Sequence, residues 1–259
     1  HPLKGGISKN NTVGSLINTN LSKPNHTVTS TLGNMINRVI TEPPVKMIYS
    51  VIKEYSTGLL YGVAKTGKTI FCENLGMSIA AGRNEFLGAP LSIENRKVLF
   101  LSLEEHYNGR TNRNLSQLND FTNNEKQLIN ENYFVATENL PKQIVSADDW
   151  NVIISEIEKI EPGIVIIDSL TRLVNDQIEQ VEFAKTAMLR LREIPEKYQT
   201  TVIVIHHSTK LDYSQPMTLQ NVAGSRVISQ EADFIIGINK TLSKQNYIKI
   251  ISARYADDN

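Results

Sequence analysis

At 259 residues, 40% apolar and 21% charged, the chain has the make-up of an ordinary soluble globular protein, with length for one sizeable core or two small ones. Its 27 acidic and 27 basic residues cancel, which excludes a bulk attraction for polyanions but not a local stripe of charge. The single cysteine, Cys72, excludes an internal disulfide framework and a Cys-rich zinc site within one chain, and suits a reducing cytosol.

No run approaches the ~20 apolar residues of a membrane span and no signal-peptide pattern opens the chain, so a cytoplasmic protein without membrane contact is expected. Because the first residue is His1 rather than methionine, a piece of a longer protein is expected too.

Residues 1–41 are rich in Asn, Thr, Ser and Gly and carry Lys4, Lys9, Lys23 and Arg38 with no acidic residue before Glu42. This composition reads as a polar, basic N-terminal arm or linker, since it offers little apolar surface to bury. The alternative is an arm that docks on a neighbouring subunit or on nucleic acid.

The remainder, 42–259, alternates strand-like and helix-like patterns. The strands read as "LLYG" (59–62), "KVLFLSL" (97–103), "YFVAT" (133–137), "IVIID" (164–168), "TVIVIH" (201–206), "DFIIGI" (233–238) and "YIKIISA" (247–253). Several are continuously apolar, as strands covered on both faces are. Between them, "SADDWNVIISEIEKIEP" opens with a capping-box-like Ser146 and Asp149, lines up Trp150, Ile153, Ile157 and Ile160, and stops at Pro162. "QIEQVEFAKTAMLRLREIPEK" repeats the design with Val181, Ala184, Met188 and Leu191. Strands alternating with helices predict an α/β domain with a largely parallel central sheet flanked by helices.

Between "LLYG" and the helical "GKTIFCENLGMSIAAG" lies "GVAKTGKT", residues 62–69, which fits G-x-x-x-x-G-K-[ST]. Gly62 and Gly67 permit the turn whose amides face phosphate oxygens, and the helix N-terminus adds its partial positive charge. Lys68 would reach the β- and γ-phosphates and Thr69 would ligate Mg²⁺. The predicted nucleotide-binding set is Gly62, Val63, Ala64, Lys65, Thr66, Gly67, Lys68, Thr69 and Ile70, with Lys65 expected to be solvated.

Ligands in open α/β sheets sit at the carboxyl ends of the strands. "IVIID" brings Asp168 to such an end, where a carboxylate can support Mg²⁺. "LFLSLEE" brings Glu104 and Glu105; Glu104 is the predicted base that orients and polarises water. Glu105 stays open between a solvated neighbour and a second ligand. "TVIVIHHSTK" carries His206 and His207, which a strand points to opposite faces, so at most one of them faces the nucleotide; His207, the last before the polar loop, is the expected one, with His206 packed against the flank of the sheet.

The order strand–GVAKTGKT–helix, "LFLSLEE" followed by Arg110 and Arg113, "IVIIDSL", and "GSRVISQEADFIIGI" with Gln230, Glu231, Ala232 and Asp233 resembles the RecA-like P-loop ATPase core. Within that group it is most similar to DnaB-type and plasmid RepA-type hexameric replicative helicases, a likeness to which "FLG" (86–88) adds. The resemblance covers about residues 43–259. It implies an ATP- and Mg²⁺-dependent ATPase forming a homo-oligomer, a hexameric ring, on single-stranded DNA, with a fused or separate primase as a partner.

It also implies residue roles: Lys68 and Thr69 on phosphate and metal, Glu104 activating water, Asp168 supporting the metal and His207 sensing the γ-phosphate. The segments after Asp168 and His207 would face a central pore, with Arg172 and Lys210 against the nucleic-acid backbone. Arg254 is the candidate arginine finger, with Arg226 as the alternative. The helicase pattern is departed from at the end of the chain: Ser252 stands where those proteins carry a lysine, and "YADD" replaces a Gly-rich turn. This leaves a second class open, a recombination or regulatory ATPase whose nucleotide state controls assembly without processive unwinding.

Overall fold

The computed structural model describes residues 29–42, 44–136, 138–174, 180–209, 211 and 214–254. Contacts divide the chain into a unit ending at Pro44 and a second unit, Val45–Asn259.

In the first unit, part of the stretch read as a polar, basic arm or linker is helical. Leu32–Thr41 is an α-helix, capped by Thr31 Oγ1 accepting from Asn34 N at 3.2 Å and supported by the Arg38–Glu42 ion pair at 3.1 Å. Its apolar residues Leu32, Met35, Ile36, Val39 and Ile40 are all exposed. Sequence composition hid the helix because the spacing of these five residues, not their abundance, is what makes one face apolar.

The second unit is built on one seven-stranded sheet. Its strands are β1 (Thr57–Gly62), β2 (Val98–Ser102), β3 (Tyr133–Ala136), β4 (Ile164–Asp168), β5 (Thr201–His207), β6 (Phe234–Lys240) and β7 (Asn246–Ala253). They lie in the order β7-β6-β1-β5-β4-β2-β3, and every pairing is parallel except the β6–β7 hairpin. All seven predicted strands are present, within two residues at each end. Sequence reasoning missed the two-stranded pieces Met47–Tyr49 with Ile52–Lys53, and Glu85–Phe86 with Ala89–Pro90. The second is the "FLG" segment: Leu87 and Gly88 both have positive φ, the conformation of a tight hairpin turn.

The strands are apolar throughout because each feeds two cores. Leu59, Leu99, Val165 and Val202 point to one face, where the helices α4 (Ala147–Ile160) and α5 (Val181–Tyr198) cover them. Leu60, Phe100, Ile166 and Ile203 point to the other, under α1 (Lys68–Ala80) and α3 (Asn123–Asn132). Between β2 and α3 runs α2 (Tyr107–Gln117), and α6 (Arg226–Glu231) precedes β6.

The capping box of α4 forms as predicted, with Ser146 and Asp149 satisfying each other's backbone amides, and Trp150, Ile153, Ile157 and Ile160 are buried. Each such side chain contributes roughly 1.5–3 kcal/mol. In α5, Ala184, Met188 and Leu191 are buried, whereas Val181 at the first turn is exposed. Among the described residues no helix is long and apolar enough to cross a membrane.

Candidate nucleotide-binding and catalytic site

Strand register gathers the predicted chemistry at one edge of the sheet. Gly62 pairs with His207, and Ser102 pairs with Asp168, which pairs with Ile205. Strand parity then selects the face. His207 and Asp168 share parity with Ile203 and Ile166, so they point to the side covered by α1, the helix that opens at the phosphate loop.

The loop between β1 and α1 is held by its own polar groups. Thr66 Oγ1 and Lys68 Nζ donate to the carbonyl of Val63 at 2.8 and 2.9 Å. Gly67 takes a left-handed φ of 92°, and a Cβ at Gly62 would run into the carbonyl oxygen of Ile238 on β6. Ala64, Lys65, Gly67, Lys68, Thr69 and Ile70 line a cleft of about 550 Å³; Gly62, Val63 and Thr66 shape the loop behind it. The volume is in the range of small-molecule sites. Burial pushes the Lys68 ammonium down, against the pull of Asp168 and Glu104.

Across the cleft, Thr69 Oγ1 donates to Asp168 Oδ2 at 2.7 Å. Burial raises the Asp168 pKa, while this hydrogen bond lowers it. Glu104 follows β2, and its Oε1 accepts from Ser169 Oγ and, at 3.1 Å, from Thr171 Oγ1. His207 Nε2 lies 3.9 Å from the same oxygen, an ion-pair rather than a hydrogen-bond distance. His207 and these two hydroxyls hold the Glu104 carboxyl down at about 2, against burial.

Its neighbour has a different setting. Glu105 meets Arg113 through two hydrogen bonds, 2.9 Å at Oε1 and 2.6 Å at Oε2, and Arg113 also forks onto Glu73 of α1 at 2.8 and 2.7 Å. Arg110 joins from beneath, 3.2 Å from Glu73, stacked 3.6 Å over the Phe100 ring and bonded to Tyr133 Oη. Arg113 therefore ties α2 to α1 through Glu73 and to the end of the β2 segment through Glu105, which still lines the cleft. Glu105 is thus engaged by Arg113 rather than free in solvent, and it lines the same cleft as Asp168.

His206 occupies the opposite face, fully buried, with Nε2 at 2.8 Å from the carbonyl of Ala223. Burial pushes its pKa down to about 4, so it is neutral at pH 7 and its Nε2–H donates.

Arg254 does not reach this cleft. It follows Ala253, which pairs with Phe234, which pairs with Gly58, at the sheet edge opposite Gly62. There its guanidinium donates to the Gln230 carbonyl at 2.7 Å and lies 3.4 Å from Asp233. Asp233 also accepts from Thr57 N at 3.0 Å, and Glu231 pairs with Arg192 at 2.6 Å, so the "SQEAD" stretch anchors the foot of β1 and β6. Arg226 is exposed at the start of α6. Arg172 sits in the short turn Leu170–Leu173, partly exposed. Lys210 and the "YADD" stretch lie outside the described residues.

Lys240 and Asn246, from the ends of β6 and β7, also line the cleft, and sequence reasoning missed them. No motif marks them; they arrive only because the hairpin lies beside β1, with Asn246 Nδ2 3.5 Å from where a Gly67 Cβ would stand.

The family model described as AAA domain matches residues 29–212, well over half of the chain and including the phosphate loop, Glu104, Asp168 and His207. The chain belongs to the AAA domain family. This AAA domain is thus an ATPase domain with a P-loop core, and the sheet and cleft described above are its framework. No curated protein matches the chain.

Magnesium, which P-loop ATPases use, finds fitting donors here. Thr69 and Asp168 offer a hydroxyl and a carboxylate oxygen side by side, the hard oxygen ligands the ion prefers. Among the described residues no three or more His, Cys, Asp or Glu side chains are grouped to hold a metal, so phosphate and water would complete the shell.

Proposed function

We propose that this AAA domain hydrolyses ATP with Mg²⁺ and, assembled as a homo-oligomeric ring, couples hydrolysis to movement on single-stranded DNA. The observation that carries the hydrolytic part is the Thr69–Asp168 hydrogen bond beside Glu104 and His207, at the mouth of the phosphate loop. Lys68 and the loop amides would bind the phosphates. Thr69, directly, and Asp168, through water, would hold the ion, whose charge offsets that of the phosphates. Glu104 takes the proton of a water whose oxygen forms the new bond to the γ-phosphorus as the β–γ bridging bond breaks and ADP leaves. His207, 3.9 Å from Glu104, would sense the γ-phosphate.

The motor part rests on the resemblance to hexameric replicative helicases. Two features are in keeping with it: Arg254 lies away from its own cleft, where it would act only on a neighbour's nucleotide, and Arg172 lies in the turn directly after Asp168 and Ser169. Few cations are available, so contact with the DNA backbone would depend on summation around a ring, with Lys210 contributing. A primase, fused or separate, is the partner this role calls for, and a cytoplasmic setting goes with it.

ATPase and unwinding assays on forked DNA test the reading, with Lys68→Ala as control. DNA-stimulated ATP hydrolysis with unwinding is expected, and Lys68→Ala is expected to lower turnover at least about 100-fold. ATP hydrolysis without unwinding at any salt would remove the helicase role and leave the ATPase.

The second reading is a recombination or regulatory ATPase, favoured by Ser252 in place of a lysine and by the engagement of Arg254 with Asp233 and Gln230 of its own chain. Native mass measurement with and without ATP separates the two: a filament, or a ring indifferent to DNA, supports this second reading.

A further inference from the structure

His207 is the last residue of β5, at a point where one side of the strand has run out of sheet. Pairing with β1 continues as far as Gly62 opposite His207, and the Ser208 N–H still donates to the Gly62 carbonyl at 3.1 Å. Pairing with β4 stops two residues earlier, at Asp168 opposite Ile205. Successive residues of a strand turn their N–H and C=O groups to alternate sides, so the His207 carbonyl points where β4 has already ended. It accepts instead from the Ala223 N–H at 3.2 Å.

Ala223 closes a short return segment laid against the end of β5. Ser208 bridges to Val222, the Thr209 N–H donates to the Asn221 carbonyl at 2.9 Å, and the Tyr61 hydroxyl donates to the Thr218 carbonyl at 2.8 Å. The Ala223 carbonyl is held by the ring of His206, 2.8 Å from Nε2, on the buried face of the sheet. Nδ1 of that ring has no partner among the described residues, so its polar capacity is committed to this one bond. Two consecutive residues of β5 therefore hold Ala223 from both ends of its peptide groups, His207 through the main chain and His206 through its ring.

We propose that His206 is a positioning residue for His207. Its imidazole fixes Ala223, Ala223 fixes the His207 main chain in place of the missing strand, and the His207 ring is thereby kept 3.9 Å from Glu104 in the cleft. This rests on the reading of His207 as the γ-phosphate sensor. A leucine at 206 would fill the buried space but supply no donor. The Ala223 carbonyl would then be unpaired in an apolar core, and the segment would shift to satisfy it, carrying the partner of His207 along. A displacement of about 1 Å at a reacting centre costs on the order of 100-fold in rate.

The test is steady-state ATP hydrolysis by the full chain, with thermal unfolding of the same samples, for wild type, His206→Leu, His206→Asn, His206→Gln and His207→Ala. His206→Leu is expected to lower kcat by about 10- to 100-fold while KM for ATP stays within about two-fold. His206→Gln, whose amide nitrogen reaches about as far as Nε2, should return kcat to within about three-fold of wild type. His206→Asn, one methylene shorter, should fall with His206→Leu, and it keeps the test open if the leucine variant does not fold. A lower unfolding midpoint with kcat unchanged in His206→Leu or His206→Asn makes His206 a core anchor alone and overturns the proposal. Equal losses of kcat in the Leu, Asn and Gln variants overturn it as well, because the bond to Ala223 would then not be what matters. His207→Ala separates the layers: lost turnover there with wild-type kcat in the His206 variants keeps the sensor and removes its positioning, and wild-type turnover in His207→Ala removes both.

Discussion

Glu73 on α1 and Arg110 on α2 face each other at 3.2 Å with essentially none of either side chain exposed. Arg113 closes the group by bonding Glu73 and Glu105 together, and Glu73 first, then Glu105, raise its pKa. The strand-to-helix segment that carries Glu104 is thus fastened to the phosphate-loop helix by charge as well as by packing. Glu73→Gln would leave Arg110 buried without its carboxylate, and a loss of about 3 kcal/mol is expected in urea unfolding. Adding Arg110→Met should recover part of it, because the uncompensated charge goes too. Additive losses in the double variant would show the two residues to be independent.

His206 makes stability depend on pH. Its folded pKa of about 4 lies below the ordinary 6.5, so the unfolded chain binds its proton first. The stabilisation is therefore complete above pH 6.5, declines as pH falls and is gone near pH 4; its size is about 3 kcal/mol. Denaturant unfolding from pH 7 to 4 should show that decline, and His206→Leu should flatten it while lowering the value at pH 7. A variant with the wild-type slope would place the proton uptake elsewhere.

Gly62 is required by the sheet before it is required by phosphate. Its α-carbon faces the Ile238 carbonyl so closely that Gly62→Ala must push β6 away, at about 3 kcal/mol. The expected signature is a lower unfolding midpoint without nucleotide present. An unchanged midpoint with weakened ATP binding would mean that the loop alone absorbs the methyl group.

Arg254 acts across a subunit boundary if it acts in catalysis, because its own cleft is at the other edge of the sheet. Arg254→Ala and Lys68→Ala, each inactive alone, should regain activity when mixed, up to roughly a quarter of the wild-type rate in a random 1:1 ring. No recovery on mixing would assign Arg254 to its pairing with Asp233 and nothing more.

Much of this protein is legible in one dimension, for a local reason. The phosphate loop needs Gly, Lys and Thr at set spacing, a parallel sheet covered on both faces needs runs such as "VLFL" and "IVII", and a capping box needs Ser146 and Asp149 three residues apart; each requirement is met by neighbours in sequence. That His206 and His207 face opposite sides also follows from the two-residue period of a strand. Tertiary structure alone decided which side of the sheet α1 covers, and hence that Glu104, Asp168 and His207 converge there. It alone turned Glu105 toward Arg113, brought Lys240 and Asn246 to the cleft and carried Arg254 to the far edge. Those outcomes depend on pairings between residues tens to hundreds of positions apart, such as Gly62 with His207 and Phe234 with Gly58. The hydrophobic pattern specifies that strands exist; the order in which they pair is set by how the whole chain buries both faces of the sheet at once.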